Sequence, residues 1–274
     1  MMSGLAGKVA VVTGGAGGLG AASALRLSRE GCRVVVVDLD EDGARKVAES
    51  LPGESIAVKA DVSGEEDVDR YLAEAAEAFG RVDLHHLNAG IPGPVGGFPD
   101  LAADEFDRVM AVNVRGIFLG LRGAFRLFRA QGSAGSVVLT ASIASLRGSA
   151  DLIAYQTSKH ATLGLLRGAA MYGGPLGIRV NAVAPGIVPT ALFSPSGRED
   201  MIRRAASAPL RRAGTPDEIA SVVAFLLSDE AAYMTGEVVS VDGGSAIVST
   251  VRPSGGAGAW NFESLDERTY RQVD

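Results

Sequence analysis

The sequence predicts an α/β protein: a single doubly wound domain whose seven-stranded parallel sheet is flanked by helices on both faces. Three observations predict it. Seven short runs rich in β-branched residues recur along the 274 residues, longer alanine-rich stretches separate them, and the runs are continuously apolar instead of alternating. Continuous apolar strands between helices belong to a parallel sheet covered on both faces. With 47% hydrophobic residues, the chain can bury one large core.

The elements follow in order. Residues 9–12 form the first strand, so near the start of the chain that no leader peptide is expected. The glycine-rich Thr13-Gly14-Gly15-Ala16-Gly17-Gly18-Leu19-Gly20 comes next, with a helix beginning near Leu19. Residues 33–37 are the second strand. Cys32, the one cysteine, stands just before it and reads as a small buried residue, while Arg33 reads as an exposed charge. Residues 55–59 and 82–87 are the third and fourth strands. Asp104 and Glu105 place acidic charge at the start of a long helix reaching Arg129, as the helix dipole favours. Residues 136–139, 179–183 and 237–241 complete the seven strands. Thr215-Pro216-Asp217-Glu218 reads as an N-cap, a first-turn proline and a capping-box glutamate for a helix ending near Leu227. Residues 91–101 and 185–210 show no period. Both follow strands, which puts them at the carboxyl edge of the sheet, where such folds bind ligands.

Composition excludes several functions. Net charge is −6 and the 26 basic residues are spread out, so no nucleic-acid surface is expected. No apolar run approaches the roughly 20 residues that span a bilayer, and a cytoplasmic protein is expected. His85 and His86 are neighbours on a strand and point to opposite faces, so they read as buried, hydrogen-bonded imidazoles, or one of them as contacting the cofactor edge, and no metal site is expected. Residues 1–250 form the domain, and 251–274 form a tail. There Pro253-Ser254-Gly255-Gly256 reads as a flexible link to Trp260, Phe262, Leu265 and Tyr270, which either dock on a neighbouring subunit and cover its substrate loops or belong to a disordered terminus.

Two motifs carry chemistry. Gly14, Gly18 and Gly20, spaced G-x3-G-x-G between a strand and a helix, let the backbone approach an anion that the helix amides then face. Tyr155 and Lys159 are four apart, so one helix face carries both. A lysine beside a phenol is expected to favour phenolate and lower the tyrosine pKa, suiting proton transfer to or from an alcohol oxygen. Ser142, 13 residues upstream, can hold the substrate oxygen beside that phenol. Asp38, at the end of the second strand, can accept hydrogen bonds from ribose hydroxyls and would repel a 2′-phosphate; Leu39 follows it where an arginine would suit that phosphate. NAD is therefore expected over NADP.

Taken together these residues resemble the short-chain dehydrogenases/reductases, over about residues 5–247. Asp61-Val62, Asn88-Ala89-Gly90, Asn113, Pro185-Gly186, Thr190 and Asp242-Gly243-Gly244 follow the family's landmarks in order. Leu87 departs from the usual Asn-Asn-Ala-Gly, without touching a catalytic group. The resemblance implies a Rossmann-type fold and a catalytic set of Asn113, Ser142, Tyr155 and Lys159, with Asn113 anchoring a water chain from Lys159. It implies cofactor contacts from Gly14, Gly18, Leu19, Gly20, Asp38, Asp61, Val62, Asn88, Ala89, Gly90, Tyr155, Lys159, Pro185, Gly186, Val188 and Thr190. It also implies a homotetramer packed through the helices near 104–129 and 154–171. The expected activity is NAD-dependent interconversion of a secondary alcohol and a ketone. Ile91, Pro92, Val95, Ile143, Leu146, Leu152, Ile187, Leu192 and Phe193 suggest an apolar cleft and a hydrophobic small-molecule substrate. A 3-oxoacyl thioester (acyl-carrier-protein) reductase, a sugar dehydrogenase and a dinucleotide-sensing module without chemistry are the alternatives.

Overall fold

The computed structural model describes residues 1–149, 151–190 and 195–247. The expected tail, and Leu192 and Phe193, lie outside them. Strands β1 (Val9–Thr13), β2 (Arg33–Asp38), β3 (Ser55–Lys59), β4 (Leu84–Leu87), β5 (Gly135–Thr140), β6 (Ile178–Pro185) and β7 (Val238–Val241) form one parallel sheet in the order β3-β2-β1-β4-β5-β6-β7. The helices are α1 (Gly18–Arg29), α2 (Glu41–Ser50), α3 (Glu65–Phe79), α4 (Ala103–Met110), α5 (Gly116–Gln131), α6 (Ile153–Gly173), α7 (Pro195–Ala205) and α8 (Pro216–Leu227).

Side chains along β1 alternate between two cores. Val9 and Val11 join the apolar cluster under α3, α5 and α6, while Ala10 and Val12 join the one under α1, α2 and α8. Helices therefore cover both faces, as the unbroken apolar runs required. The capping box of α8 forms as expected: Thr215 Oγ1 accepts from the Glu218 N–H at 3.3 Å, and the Glu218 carboxylate accepts from the Thr215 N–H at 2.9 Å. Cys32 is buried, its thiol donates to the Leu5 carbonyl at 3.2 Å, and burial pushes its pKa up to about 12.

Three expectations are corrected. Strand β4 begins at Leu84 and not at residue 82, because the Val82 N–H goes to the Gln131 side chain at 2.8 Å. Arg33 is half-buried, not exposed: its guanidinium lies 5.4 Å from the centre of the Phe79 ring and donates to the Phe79 carbonyl. The long helix from Asp104 to Arg129 is interrupted by a π-helical turn, Ala111–Arg115. Such turns concentrate at functional sites, and this one turns Asn113 inward, fully buried.

Chain direction fixes where the site lies. From β1 the chain builds outward to β2 and β3, then restarts at β4 on the opposite side of β1. At that switch point the turn after β1 and the turn after β4 meet at the carboxyl edge. Among the described residues no helix is long and apolar enough to cross a membrane.

Candidate active site

The glycine turn is shaped by contact with its neighbours. Gly14 has φ +65°, and a Cβ there would stand 2.8 Å from the Ala89 Cα; one on Gly20 would run into the Gly14 carbonyl. These glycines are required because the turns after β1 and β4 touch. Gly17 caps α1 with no side-chain hydrogen bond, no acidic residue occupies the first turn, and nothing lies within 4 Å of where a Gly17 Cβ would be. Among the described residues, the start of α1 thus has no acidic residue in its first turn and no side-chain cap, which fits a dinucleotide pyrophosphate. Leu19 packs its side chain on the core, leaving only its backbone to the turn. Thr190 reaches over from beyond β6, its methyl 3.3 Å from a Cβ position on Gly18.

Asp38 ends β2 beside this turn. One carboxylate oxygen accepts from the Ala16 N–H and the other from the Asp40 N–H, both at 3.0 Å, which braces the group while lone pairs remain. Leu39 beside it is exposed. Asp61 is exposed and accepts from the Ser63 N–H and hydroxyl, and Val62 packs against Gly116. Pro185 and Val188 are buried. A Cβ on Gly186 would lie 2.7 Å from the Asp242 Cα, so the ends of β6 and β7 close together there.

Helix α6 carries Tyr155 and Lys159 one turn apart. Lys159 is 3% exposed, and its Nζ donates to the Thr140 carbonyl at 2.7 Å while lying 5.6 Å from the Tyr155 ring centre. Burial pushes its ammonium down to about 8. Tyr155 does not show the lowered pKa expected from its lysine neighbour. Burial raises it, and a hydrogen bond with Ser142 opposes that rise. The reason is geometric: the ammonium is directed at Thr140 O and not at the phenol. Ser142 is buried at the head of the turn Ile143–Ser145, its Oγ accepting from the Ala144 N–H at 3.1 Å.

Asn113 is pinned from three sides. It accepts from the Ile91 N–H at 2.8 Å and donates to the Ile91 carbonyl and to Ser158 Oγ at 2.9 and 3.0 Å. Both its N–H groups are spent, so only its oxygen side is left for a relay toward Lys159. The loops on either side of the cleft are joined: Gly96 pairs with Leu152 and donates to the Asp151 carbonyl at 3.0 Å. Val95, Phe98 and Leu146 are exposed there, and Ile91, Pro92, Ile143, Leu152 and Ile187 are half-buried. Asp151 accepts from the Ser149 hydroxyl. Arg147 keeps one buried nitrogen, Nη2, without a hydrogen-bond partner among the described residues.

Four further residues meet at this edge. Thr13 Oγ1 accepts from the Asn88 N–H at 3.0 Å, Thr140 meets both Asn88 and Lys159, and Ser158 bridges Asn113 to the Tyr155 carbonyl. The fourth is His86, whose Nε2 is 2.9 Å from Thr140 Oγ1, while His85 Nε2 is 3.2 Å from the Tyr71 hydroxyl. Thr13 was signalled by its place in the glycine motif and His86 by the reading that one imidazole contacts the cofactor edge; Thr140 and Ser158 meet the site only through the fold. Among the described residues no three His, Cys, Asp or Glu side chains cluster as metal ligands would.

The chain matches a family described as enoyl-(acyl carrier protein) reductase over residues 14–246. It is 42% identical over 252 residues to levodione reductase of Leifsonia aquatica, covering 87% of this chain and 94% of that one. It is 38% identical to short-chain dehydrogenase reductase 3a of Arabidopsis thaliana, over 91% of this chain and all of that one. Cyclohexanol dehydrogenase of Acinetobacter sp. (strain SE19) is 37% identical over 86% of this chain and 94% of its own. Among solved structures, levodione reductase superposes with a TM-score of 0.84 at 39% identity, covering 89% of this chain and 99% of that one. A 3-ketoacyl-(acyl-carrier-protein) reductase from Brucella melitensis, complexed with NADH, gives 0.83 at 35% identity over 88% and 99%.

Proposed function

The chain belongs to the short-chain dehydrogenase/reductase family, and on that premise we propose an NAD-dependent oxidoreductase that interconverts a secondary alcohol and a ketone on a hydrophobic small molecule. One observation carries it: Ser142 and Lys159 both neighbour Tyr155, and Lys159 is tied through Thr140 and Asn88 to a glycine turn that leads into an uncapped helix start.

When bound, the nicotinamide carries the hydride. The protein's own residues do the rest. Ser142 holds the substrate oxygen next to the Tyr155 phenol, whose pKa its hydroxyl already pulls down against the effect of burial. Tyr155 keeps its proton at neutral pH and gives it to a ketone oxygen, or takes it from an alcohol. Lys159 anchors the ribose side of the site from its seat on Thr140. Asp38, free of any paired arginine at position 39, selects NAD through the ribose hydroxyls.

The apolar loop residues favour a substrate with little charge, and the relative named for cyclohexanol, a cyclic secondary alcohol, supports starting there. An acyl thioester remains the second reading, supported by the family description and the NADH-bound reductase. A panel of cyclohexanol, other secondary alcohols, levodione, a polyol and a 3-oxoacyl thioester, followed by NADH absorbance, tests the assignment. Turnover of the thioester alone would overturn the first reading, and no turnover with any alcohol or ketone would overturn both.

The reading includes a cytoplasmic homotetramer of closed symmetry. Its support is a shallow, open groove along α4, α5 and α6 in which Met110, Val114, Phe118 and Leu165 lie between the charged Asp107 and Arg115, with Phe118 exposed. Light scattering of the purified chain measures the subunit number.

A further inference from the structure

Imidazoles in the middle of a buried strand are costly unless they are hydrogen-bonded. His85 is answered by Tyr71. His86 is answered by Thr140, and the hydrogen count around that contact is fixed. Asn88 spends both N–H groups of its amide on backbone carbonyls, Thr13 at 3.1 Å and Gly14 at 3.2 Å. Its Oδ1 therefore presents an acceptor to the Thr140 hydroxyl, 3.0 Å away. A hydroxyl has one proton to give, and Thr140 gives it to Asn88. His86 Nε2, 2.9 Å from the same oxygen, must then be a donor.

The ring thus carries its proton on Nε2 and leaves Nδ1 bare, and Nδ1 is buried with no partner among the described residues. A second proton would create a buried charge with an unpaired donor. Burial accordingly holds the ring's pKa down at about 3, and it stays neutral.

Thr140 has a second task. Its carbonyl accepts the Lys159 ammonium at 2.7 Å. One residue therefore holds the glycine turn through Asn88 and the lysine through its own backbone. We propose that His86 is a positioning residue: its Nε2–H fixes the Thr140 hydroxyl, and through it the Asn88–Gly14 contact under the cofactor and the carbonyl that directs Lys159. The role rests on the reading of this edge as a nicotinamide-dinucleotide site.

The test compares His86→Gln, which keeps a donor at similar reach, with His86→Leu, which keeps bulk and loses the donor. NADH affinity is read by fluorescence without any substrate. Leu weakens it about tenfold, the worth of roughly one hydrogen bond, and Gln stays within about twofold. In turnover the Leu variant raises the KM for NAD and leaves the KM for the alcohol unchanged. Nitrogen NMR of labelled histidine places the His86 proton on Nε2. If the Leu variant does not fold, Thr140→Val removes the same contact from the other end and is read against Thr140→Ser. Wild-type affinity in His86→Leu or Thr140→Val, or a proton on Nδ1, overturns the proposal. A wild type that binds no NADH overturns the cofactor reading and the role built on it, while the NMR result still judges the His86–Thr140 contact.

Discussion

Lys159→Met should inactivate the enzyme and stabilise the protein. The lysine is nearly fully buried, and its pKa falls from 10.5 to about 8 because burial penalises the charged form. At about 1.36 kcal/mol per tenfold change, the native state spends about 3 kcal/mol holding that charge below pH 8. Methionine has similar bulk and no charge. It also loses the bond to the Thr140 carbonyl and leaves that carbonyl unsatisfied, at roughly 1–3 kcal/mol. A net gain on the order of 1 kcal/mol remains at pH 7, which raises Tm by about 2–4 °C. The pH dependence gives the sign. Between pH 8 and 10.5 the unfolded lysine keeps its proton while the native one gives it up, so wild-type stability rises with pH through that window. The advantage of the variant should shrink across the same window and reverse above pH 10.5. Thermal unfolding at pH 7, 9 and 10.5 is the assay. A variant less stable than wild type at pH 7, or a difference that does not change with pH, would refute the reasoning.

Tyr155→Phe removes the proton and keeps the ring, so turnover should fall by about 10²–10⁴-fold while NADH still binds; single-turnover rates and NADH fluorescence check this. Asp38→Ala should weaken NAD binding and narrow its advantage over NADP, measured as kcat/KM with each cofactor. It should also cost stability, because the Ala16 and Asp40 amides lose their acceptor. Truncation after Ile247 should lower Tm or shift the KM for substrate, as docking of Trp260, Phe262, Leu265 and Tyr270 on a neighbour requires; an unchanged assembly with unchanged kinetics would remove that role.

Much of the fold was legible in the sequence because a parallel sheet buried on both faces writes itself as continuous apolar runs. Strand β2 reads Arg-Val-Val-Val-Val-Asp, and its four central valines are fully buried. The site was legible where spacing alone brings groups together, as with Tyr155 and Lys159. It was not legible where a contact crosses the fold. Lys159 and Thr140 are 19 residues apart, and nothing local aims the ammonium at that carbonyl and away from the phenol. The interruption at Ala-Val-Asn-Val-Arg reads as ordinary helix, since what accompanies it is a bond from Asn113 to a loop 22 residues earlier. Arg33 deceived for a similar reason: a charged residue at a strand's start looks solvated until an aromatic ring from another element covers it.

The π-helical turn has a consequence for how this chain tolerates change in length. An α-helix advances about 100° per residue, whereas the i→i+5 turn takes in one residue more before the backbone closes on itself. Upstream of it, Met110 lines the outer groove; downstream, Phe118 does the same, while Asn113 between them points inward. Ala111, Val114 and Arg115 within the turn line the same groove, so the outer face runs unbroken past it while the extra residue is taken up on the side where Asn113 is held. Loss of a single residue from Ala111–Arg115 would restore a regular helix and swing Asn113 away from Ile91 and Ser158, although every catalytic side chain would still be encoded. At this point in the molecule, the number of residues is as much a part of the active site as their identity.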